Sequence, residues 1–246
     1  MAANPKKKLL GTMAERADIH DLYEQSVQAV DVEVEFLQDT FRSLRGREAS
    51  SLREDFCGTA SLSCEWVRTG RERHATGVDV DSSVLDWGRR HRVARLPEVA
   101  RARVKLLNDD VLRVATDPFD IVGAFNFSYF CFKTRDQMRD YFKRVHGALR
   151  SDGLFFLDAF GGPEASDIQK EKTKFNGFTY VWDQAEFEPV TSRIVSGKET
   201  SAWHSSFQNC VGRVAYVIPC LRPRRQNSSA VSHSSKSRCI RPCIST

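Results

Sequence analysis

The turn between the first predicted strand and the helix after it reads Leu52-Arg53-Glu54-Asp55-Phe56-Cys57-Gly58-Thr59-Ala60. Residues 51–55 are predicted to form the strand and residues 60–68 the helix. Gly58 allows a sharp turn in which the backbone closely approaches a ligand, and the helix N-terminus follows directly. This strand-turn-helix unit indicates an α/β fold, because it begins a crossover between parallel strands.

Short strands and helices continue to alternate after this turn. Further strands are predicted at 74–80, 103–108, 119–127 and 154–160, and helices at 84–94 and 134–149. The order predicts a doubly wound, Rossmann-like sheet with helices on both faces. Helical spacing from Asp18 to Leu44 predicts one bent helix or two short ones ending near Gly46, and a hairpin is expected at 178–187 and 193–195.

Acidic residues follow the second and third predicted strands. Asp79 follows the second strand, where a carboxylate suits hydrogen bonding to a ribose diol, and Asp110 follows the third, where it can accept from an adenine amine. The first turn has no Gly-x-Gly-x-x-Gly and carries an acid pair, which would repel a pyrophosphate. A ligand with a cationic amino group and a sulfonium fits this site better.

These motifs resemble those of class I S-adenosylmethionine (SAM) dependent methyltransferases. The first motif of that family is typically acid-x-Gly-x-Gly-x-Gly, which aligns Glu54 with the acid and Gly58 with the middle glycine. Phe56 and Ala60 replace the first and third glycines. Gly77-Val78-Asp79 and Asp109-Asp110-Val111-Leu112 resemble the second and third motifs, and the resemblance covers roughly residues 50–160.

The resemblance implies a SAM cofactor and a set of residues around it. By analogy, Asp79 holds the ribose, Asp110 the adenine amine, and the Val111 backbone the edge of the adenine ring. Tyr23 is expected in a helical cap over the cofactor. The predicted cofactor-binding residues are Tyr23, Glu54, Phe56, Cys57, Gly58, Thr59, Asp79, Asp110, Val111 and Asn126.

The methyl acceptor is expected at the end of the fourth strand. Its sequence, Asn126-Phe127-Ser128-Tyr129-Phe130, weakly resembles the Asn-Pro-Pro-Tyr of amino-group methyltransferases, although both prolines are missing. Asn126 and Tyr129 are therefore candidates for orienting the acceptor, and no general base is assigned. The alternative interpretation is that these aromatic side chains line a pocket or belong to the core. The histidines are scattered, so no metal site is expected.

Charge separates the C-terminal stretch from the rest of the chain. The chain has 37 Lys and Arg against 32 Asp and Glu, a net charge of +5. Residues 197–246 contain eight bases and one acid, which leaves 29 bases and 31 acids in residues 1–196, a net charge of −2. Three domains are predicted: a helical cap at 1–48, a SAM-binding methyltransferase domain at 49–196, and a basic tail at 197–246.

The tail is expected to be disordered, and the C-terminal part of the fold incomplete or atypical. The family usually ends in a sixth and an antiparallel seventh strand, so a frame change or truncation after about Ser196 is the working hypothesis, with an exposed sheet edge as its consequence. A genuine disordered basic tail is the alternative.

Methyl transfer from SAM to a small molecule is the expected function. The alternatives are a non-catalytic SAM-fold binding protein, an NAD-type Rossmann enzyme, and a methyltransferase that acts on nucleic acid or protein. The mildly acidic body disfavours nucleic acid. No secretory signal or membrane span is recognised, and seven cysteines without paired spacing favour free thiols, so a cytoplasmic location without membrane partners is expected.

Overall fold

The structure, a computed structural model, describes residues 17–160, 163–189, 193–196 and 214–219. The chain divides into two compact units. The smaller unit comprises residues 1–28 and 162–211, and the larger comprises residues 29–161 and 212–246. The predicted domain boundaries at 48 and 196 follow motifs and composition rather than compactness, and they stay predictions.

The predicted helical stretch from Asp18 to Leu44 forms two helices, α1 (Ile19–Val27) in the smaller unit and α2 (Val30–Arg45) in the larger. Asp18 caps α1 by accepting hydrogen bonds from the backbone amides of His20 and Asp21. The C-cap of α2 is Gly46, whose φ of 69° lies in the left-handed region that favours glycine. The predicted helix end near Gly46 is therefore confirmed.

The larger unit continues with strands and helices in the predicted alternation. After α2 come β1 (Ser51–Asp55), α3 (Ser61–Arg68), β2 (His74–Asp79), α4 (Ser82–His91), α5 (Glu98–Arg101), β3 (Val104–Asn108), β4 (Phe119–Ala124), α6 (Arg135–Gly147) and β5 (Leu149–Ala159). The smaller unit then contributes β6 (Gln169–Phe175), β7 (Phe178–Glu188) and β8 (Arg193–Ser196), and β9 (Val214–Pro219) returns to the larger unit. Among the described residues, no helix is long and apolar enough to cross a membrane.

The sheet of the larger unit has the order β3-β2-β1-β4-β5-β9. Neighbours from β3 to β5 are parallel, and β9 runs antiparallel to β5. The strand order reverses between β1 and β4, so the loops after these two strands diverge around a crevice. The predicted doubly wound Rossmann-like sheet is confirmed.

Two apolar clusters cover the opposite faces of this sheet. Leu52, Ile121 and Leu154 pack with apolar side chains of α2 and α3 on one face. Val122 and Phe155, their neighbours along the strands, pack with side chains of α6 on the other. The alternation places successive side chains on opposite faces of the pleated strands, and helices lie on both faces as predicted.

A buried carboxylate, Asp120, ties strands together at the amino end of the sheet. Its side chain is fully buried and accepts hydrogen bonds from the backbone amides of Ser50 and Ser51 and from Arg47 and Arg150. Burial acts to raise the pKa of Asp120, but the hydrogen bonds outweigh it and hold the pKa below the ordinary value. Asp120 is therefore ionised and structural.

The C-terminal stretch contains a strand that the sequence analysis did not assign. Residues Val214–Pro219 form β9 and pair along β5 from Leu154 to Ala159. The expected disorder after Ser196 is therefore wrong for these six residues, and the expected exposed edge is covered where β9 pairs with β5. The run Val-Ala-Tyr-Val-Ile-Pro is rich in strand-forming residues, but it is short and lies next to the basic segment that begins at Arg222, so the sequence analysis assigned it to the tail. The rest of the predicted tail lies outside the described residues.

The smaller unit contains an antiparallel sheet with the order β6-β7-β8. The predicted hairpin at 178–187 and 193–195 corresponds to β7 and β8. β6 pairs with β7 from Gln169↔Gln184 to Phe175↔Phe178. Its residues are almost all polar, so apolar and polar side chains hardly alternate along this strand. This explains why periodicity did not identify it.

Candidate functional site

The carboxyl ends of four parallel strands meet at one edge of the large sheet. Asp55 of β1 is in register with Val78 of β2 and Ala124 of β4, and Asp79 of β2 is in register with Asn108 of β3. The loops that carry the predicted cofactor residues of the larger unit therefore follow adjacent strand ends. This is where ligands bind in doubly wound sheets.

Three residues in the loop after β1 adopt a backbone conformation that favours glycine, although only one of them is glycine. Phe56, Gly58 and Ala60 have φ values of 57°, 53° and 60°, all in the left-handed region. These are the three positions at which the resemblance expects glycine. Phe56 and Ala60 adopt this conformation at a cost of roughly 1–2 kcal/mol each, so the replacements leave the alternating left-handed path intact.

Packing around Phe56 offsets the cost of its backbone conformation. Its ring lies 5.8 Å from the ring of Tyr141 and 6.0 Å from that of Phe132, measured between centroids. The Tyr141 hydroxyl donates to Asp55 Oδ2 over 2.9 Å, and Arg53 Nε donates to Asp55 Oδ1 over 2.7 Å. Asp55 is therefore a structural anchor, and Phe56 is an anchor of the loop rather than a free side chain at its surface.

Two glycines outside the loop allow its buried residues to pack closely. A Cβ at Gly77 would lie 2.7 Å from Cys57 Sγ, and a Cβ at Gly88 would lie 2.4 Å from the Thr59 carbonyl oxygen. Cys57 and Thr59 are only 2% and 3% exposed. By contrast, a Cβ at Gly58 would meet no atom within 4 Å, so the space beside this loop residue is open.

Asp79 links the end of β2 to the turn after β1. Its Oδ2 accepts from the Gly58 amide over 2.8 Å, and its Oδ1 accepts from the Asp81 amide over 2.9 Å. Each carboxylate oxygen can accept a second hydrogen bond, so both retain capacity for ligand hydroxyls. The side chain is partly exposed, as such a contact requires.

Asp110 lies in the turn after β3. Its Oδ1 accepts from the Leu112 amide over 2.9 Å, and its side chain is partly exposed. The Val111 side chain is 3% exposed and packs in the apolar cluster, so only its backbone is suited to contact a ligand. Asn108 Nδ2 donates to the carbonyl oxygens of Asp79 and Val80, which holds the two strand ends together.

Glu54 is buried beneath the loop with an altered protonation equilibrium. It is 7% exposed, and its Oε2 accepts from the Ser63 amide over 3.0 Å and from the Ser63 hydroxyl over 2.6 Å. Burial is the main cause that raises the pKa of Glu54 to about 8; the hydrogen bonds from Ser63 oppose this rise, and the nearby charges of Glu33 and Asp79 add to it. Glu54 is therefore mostly neutral at pH 7.

The Cys57 thiol does not supply a nucleophile. Burial raises the pKa of this thiol well above its ordinary value, with the charge of Glu54 acting in the same direction. A thiol that stays protonated is a packing group. This agrees with its position between Gly77 and the loop backbone.

The loop after β4 contains two consecutive left-handed residues, Asn126 and Phe127, with φ values of 55° and 53°. Their backbone amides donate to Asp158 Oδ2 over 2.9 Å and to Asp158 Oδ1 over 2.8 Å. Asp158 is 1% exposed, whereas Asn126 is partly exposed. Tyr129 is 6% exposed and belongs to the apolar cluster, which supports the alternative that it is a core aromatic residue.

Part of the larger unit matches a known protein family. Residues 55–157 match the family described as methyltransferase domain. The matched stretch runs from the last residue of β1 into β5. No curated protein matches the sequence significantly.

Solved methyltransferases share the fold of this domain. An amino pentose methyltransferase from Micromonospora echinaspora, involved in calicheamicin biosynthesis and solved with SAM bound, aligns with a TM-score of 0.55 at 19% identity and covers 74% of this chain and 72% of its own. A SAM-dependent methyltransferase from Clostridium acetobutylicum ATCC 824 aligns with a TM-score of 0.54 at 17% identity, and the shares covered are 69% and 68%. At these identities the likeness is one of fold.

The larger unit brings together most of the predicted cofactor residues. Gly58, Asp79, Asp110 and Asn126 follow adjacent strand ends and are partly exposed, whereas Glu54, Cys57, Thr59 and the Val111 side chain are buried and Phe56 packs against Tyr141. Tyr23 lies on α1 of the smaller unit, and its cofactor role stays a prediction. The sequence analysis missed Asp158, although an acid inside the apolar run Leu-Phe-Phe-Leu-Asp-Ala-Phe was a visible signal.

Proposed function

We propose that this chain binds SAM at the carboxyl ends of β1, β2 and β3 and transfers its methyl group to a small-molecule acceptor. One observation carries the proposal: a left-handed glycine turn with open space beside it is joined by hydrogen bonding to a partly exposed carboxylate at the next strand end. This is the arrangement that a nucleoside with a charged tail requires.

The acidic side chains of the site fit SAM better than a dinucleotide. Glu54, Asp79 and Asp110 are acids, and a pyrophosphate would need amides or cations in their place. An ammonium and a sulfonium interact favourably with carboxylates. In this proposal Asp79 holds the ribose hydroxyls, Asp110 and the Val111 backbone hold the adenine, and Glu54 lies on the side of the methionine group.

The protein's own contribution to such a transfer is alignment and exclusion of water. SAM, when bound, supplies an electrophilic methyl group. The rigid loop after β1 and the turn after β4 hold the two sides of the crevice, so that a bound acceptor can be aligned without a covalent enzyme intermediate. Asn126 is the candidate for orienting the acceptor, and the burial of Tyr129 leaves it a weaker candidate.

A small acceptor suits the charge of the domain. Residues 1–196 have a net charge of −2, counted from 29 bases and 31 acids. A nucleic-acid substrate requires a basic footprint for its phosphates. The exposed Phe130 near the turn after β4 offers an apolar contact for a small organic molecule.

Thermal unfolding with added ligand tests the cofactor assignment. SAM and S-adenosylhomocysteine (SAH) at about 100 times their dissociation constants should stabilise the folded chain by about 2.7 kcal/mol, because only the folded state binds them. Asp79→Ala should abolish most of this shift. Asp81→Ala is the matched control, since it removes the cap of α4, whose Asp81 accepts from the Ser83 and Val84 amides, and should keep the ligand shift. A shift with NAD but not with SAM would refute the proposal.

A further inference from the structure

The turn after β4 needs an explanation that its own sequence does not provide. Asn126 and Phe127 are both left-handed, and neither is glycine. Asparagine tolerates this conformation better than most residues, but phenylalanine does not. A backbone held in this state by two consecutive residues must be stabilised from outside the turn.

Asp158 provides that stabilisation. Both of its carboxylate oxygens accept from the turn, one from each of the two left-handed residues, and the side chain is 1% exposed. Hydrogen bonds to a charged acceptor are stronger than those to a neutral one. Two successive backbone amides form a concave surface that suits an anion, and the Asp158 carboxylate occupies this surface.

The position of Asp158 follows from strand lengths. β4 ends at Ala124, which is in register with Leu157, so β5 extends past β4 by the residues that include Asp158. The other edge of this extension pairs with β9, where Asp158 is in register with Ala215. The carboxylate thus lies on a strand end that pairs with β9 on one side and extends beyond β4 on the other, where the turn after β4 begins.

We propose that Asp158 is a positioning residue for the acceptor side of the crevice. It holds the turn that carries Asn126 in its left-handed conformation, while the cofactor side depends on the loops after β1, β2 and β3. This inference rests on the proposed function. Its consequence is that loss of the Asp158 carboxylate disturbs methyl transfer without disturbing cofactor affinity.

The test compares Asp158→Asn with Asp120→Asn in the full chain. Both changes remove a buried carboxylate that accepts backbone amides of neighbouring loops, but Asp120 lies at the opposite end of the sheet. In Asp158→Asn, the amide signals of Asn126 and Phe127 should move upfield, and their hydrogen exchange should become at least about tenfold faster. In Asp120→Asn, both amides should keep their wild-type behaviour.

Binding and turnover provide the functional measurements. The dissociation constant for SAH should stay within about twofold of the wild-type value in Asp158→Asn, because misplacement on the acceptor side acts on turnover. With radiolabelled SAM and a mixed pool of amines, thiols and phenols as acceptors, kcat should fall by up to about 100-fold with KM for SAM unchanged.

Two results would overturn the inference. One is unchanged exchange at Asn126 and Phe127 in Asp158→Asn, and the other is a loss of SAH binding as large as that in Asp79→Ala. If Asp158→Asn does not fold, Asp158→Glu replaces it, since glutamate keeps the charge but its extra methylene group displaces the carboxylate from the amides of Asn126 and Phe127. That variant should bind SAH, and failure to do so would also count against the inference. Failure of the wild-type chain to bind SAH would instead refute the proposed function, and the exchange comparison would still test Asp158.

Discussion

Replacement of Glu54 by glutamine should change how the stability of the protein depends on pH. Glu54 is 7% exposed, and burial raises its pKa from 4.5 to about 8. The folded state therefore binds more protons at this site than the unfolded state between these two values. Its contribution to stability is fully present below the unfolded pKa and is lost as pH rises towards about 8. Glutamine has a similar shape and cannot ionise.

The size of the effect follows from the pKa shift. Integration of the linkage relation from about pH 5 to about pH 8.5 gives a loss of about 4 kcal/mol in the wild-type free energy of unfolding from this group. This is an upper bound, because relaxation and water entry reduce it. Glu54→Gln lacks the loss, so the variant should become more stable relative to wild type as pH rises. At about pH 5 the two proteins should differ by less than about 1.5 kcal/mol, since each places a neutral group beside Ser63.

Urea unfolding of both proteins across this pH range measures the difference directly. Glu48→Gln is the control: the hydrogen bond from Arg42 is the largest factor that lowers the pKa of the exposed Glu48 below 4.5, so it is ionised in both states throughout the range. Its stability difference from wild type should stay constant. A constant difference between Glu54→Gln and wild type would refute the argument that burial keeps Glu54 neutral.

Three further predictions concern the same domain. A carboxyl with a pKa of about 8 is about nine-tenths protonated at pH 7, so SAM binding should release close to one proton if Glu54 ionises beside the ammonium of SAM. Calorimetry in two buffers with different ionisation enthalpies should detect this release in wild type and none in Glu54→Gln. Tyr141→Phe removes a hydrogen bond to Asp55 and should lower the free energy of unfolding by about 1.5–3 kcal/mol, and a loss below about 0.5 kcal/mol in urea would contradict it. A chain cut after residue 212 lacks β9 and should aggregate through the open edge of β5, whereas monodisperse light scattering would argue against this role.

Local sequence rules account for much of the observed secondary structure. Thr134 and Gln137 form the capping box that their spacing predicts, and the side chain of Asp81 caps α4. Such features involve residues within one turn of each other, so the sequence contains both partners. The hydrophobic period likewise identified the parallel strands, because buried strands and amphipathic helices must alternate apolar residues at fixed spacings.

The methyltransferase loop shows where local rules were insufficient. Phe56 and Ala60 occupy two positions where the resemblance expects glycine, and neither residue favours a left-handed backbone on its own. The structure keeps the left-handed path at both positions, because Phe56 packs on Tyr141 and Ala60 lies fully buried beside Cys57 and Leu85. Tyr141 and Leu85 are distant in sequence from the residues that they contact, so single-residue propensities could not anticipate their effect.

The sequence by itself determined the order of strands and helices and the acids at the strand ends, since period, capping and turn chemistry act over a few residues. Tertiary structure alone decided the roles of Asp158 and β9. The carboxylate of Asp158 reaches amides 31 and 32 residues earlier in the chain, and β9 pairs with a strand that lies far earlier in the chain, with Val214 opposite Ala159. Both depend on backbone groups that meet only after the sheet has assembled, because a hydrogen-bond partner far along the chain leaves no local pattern in the sequence.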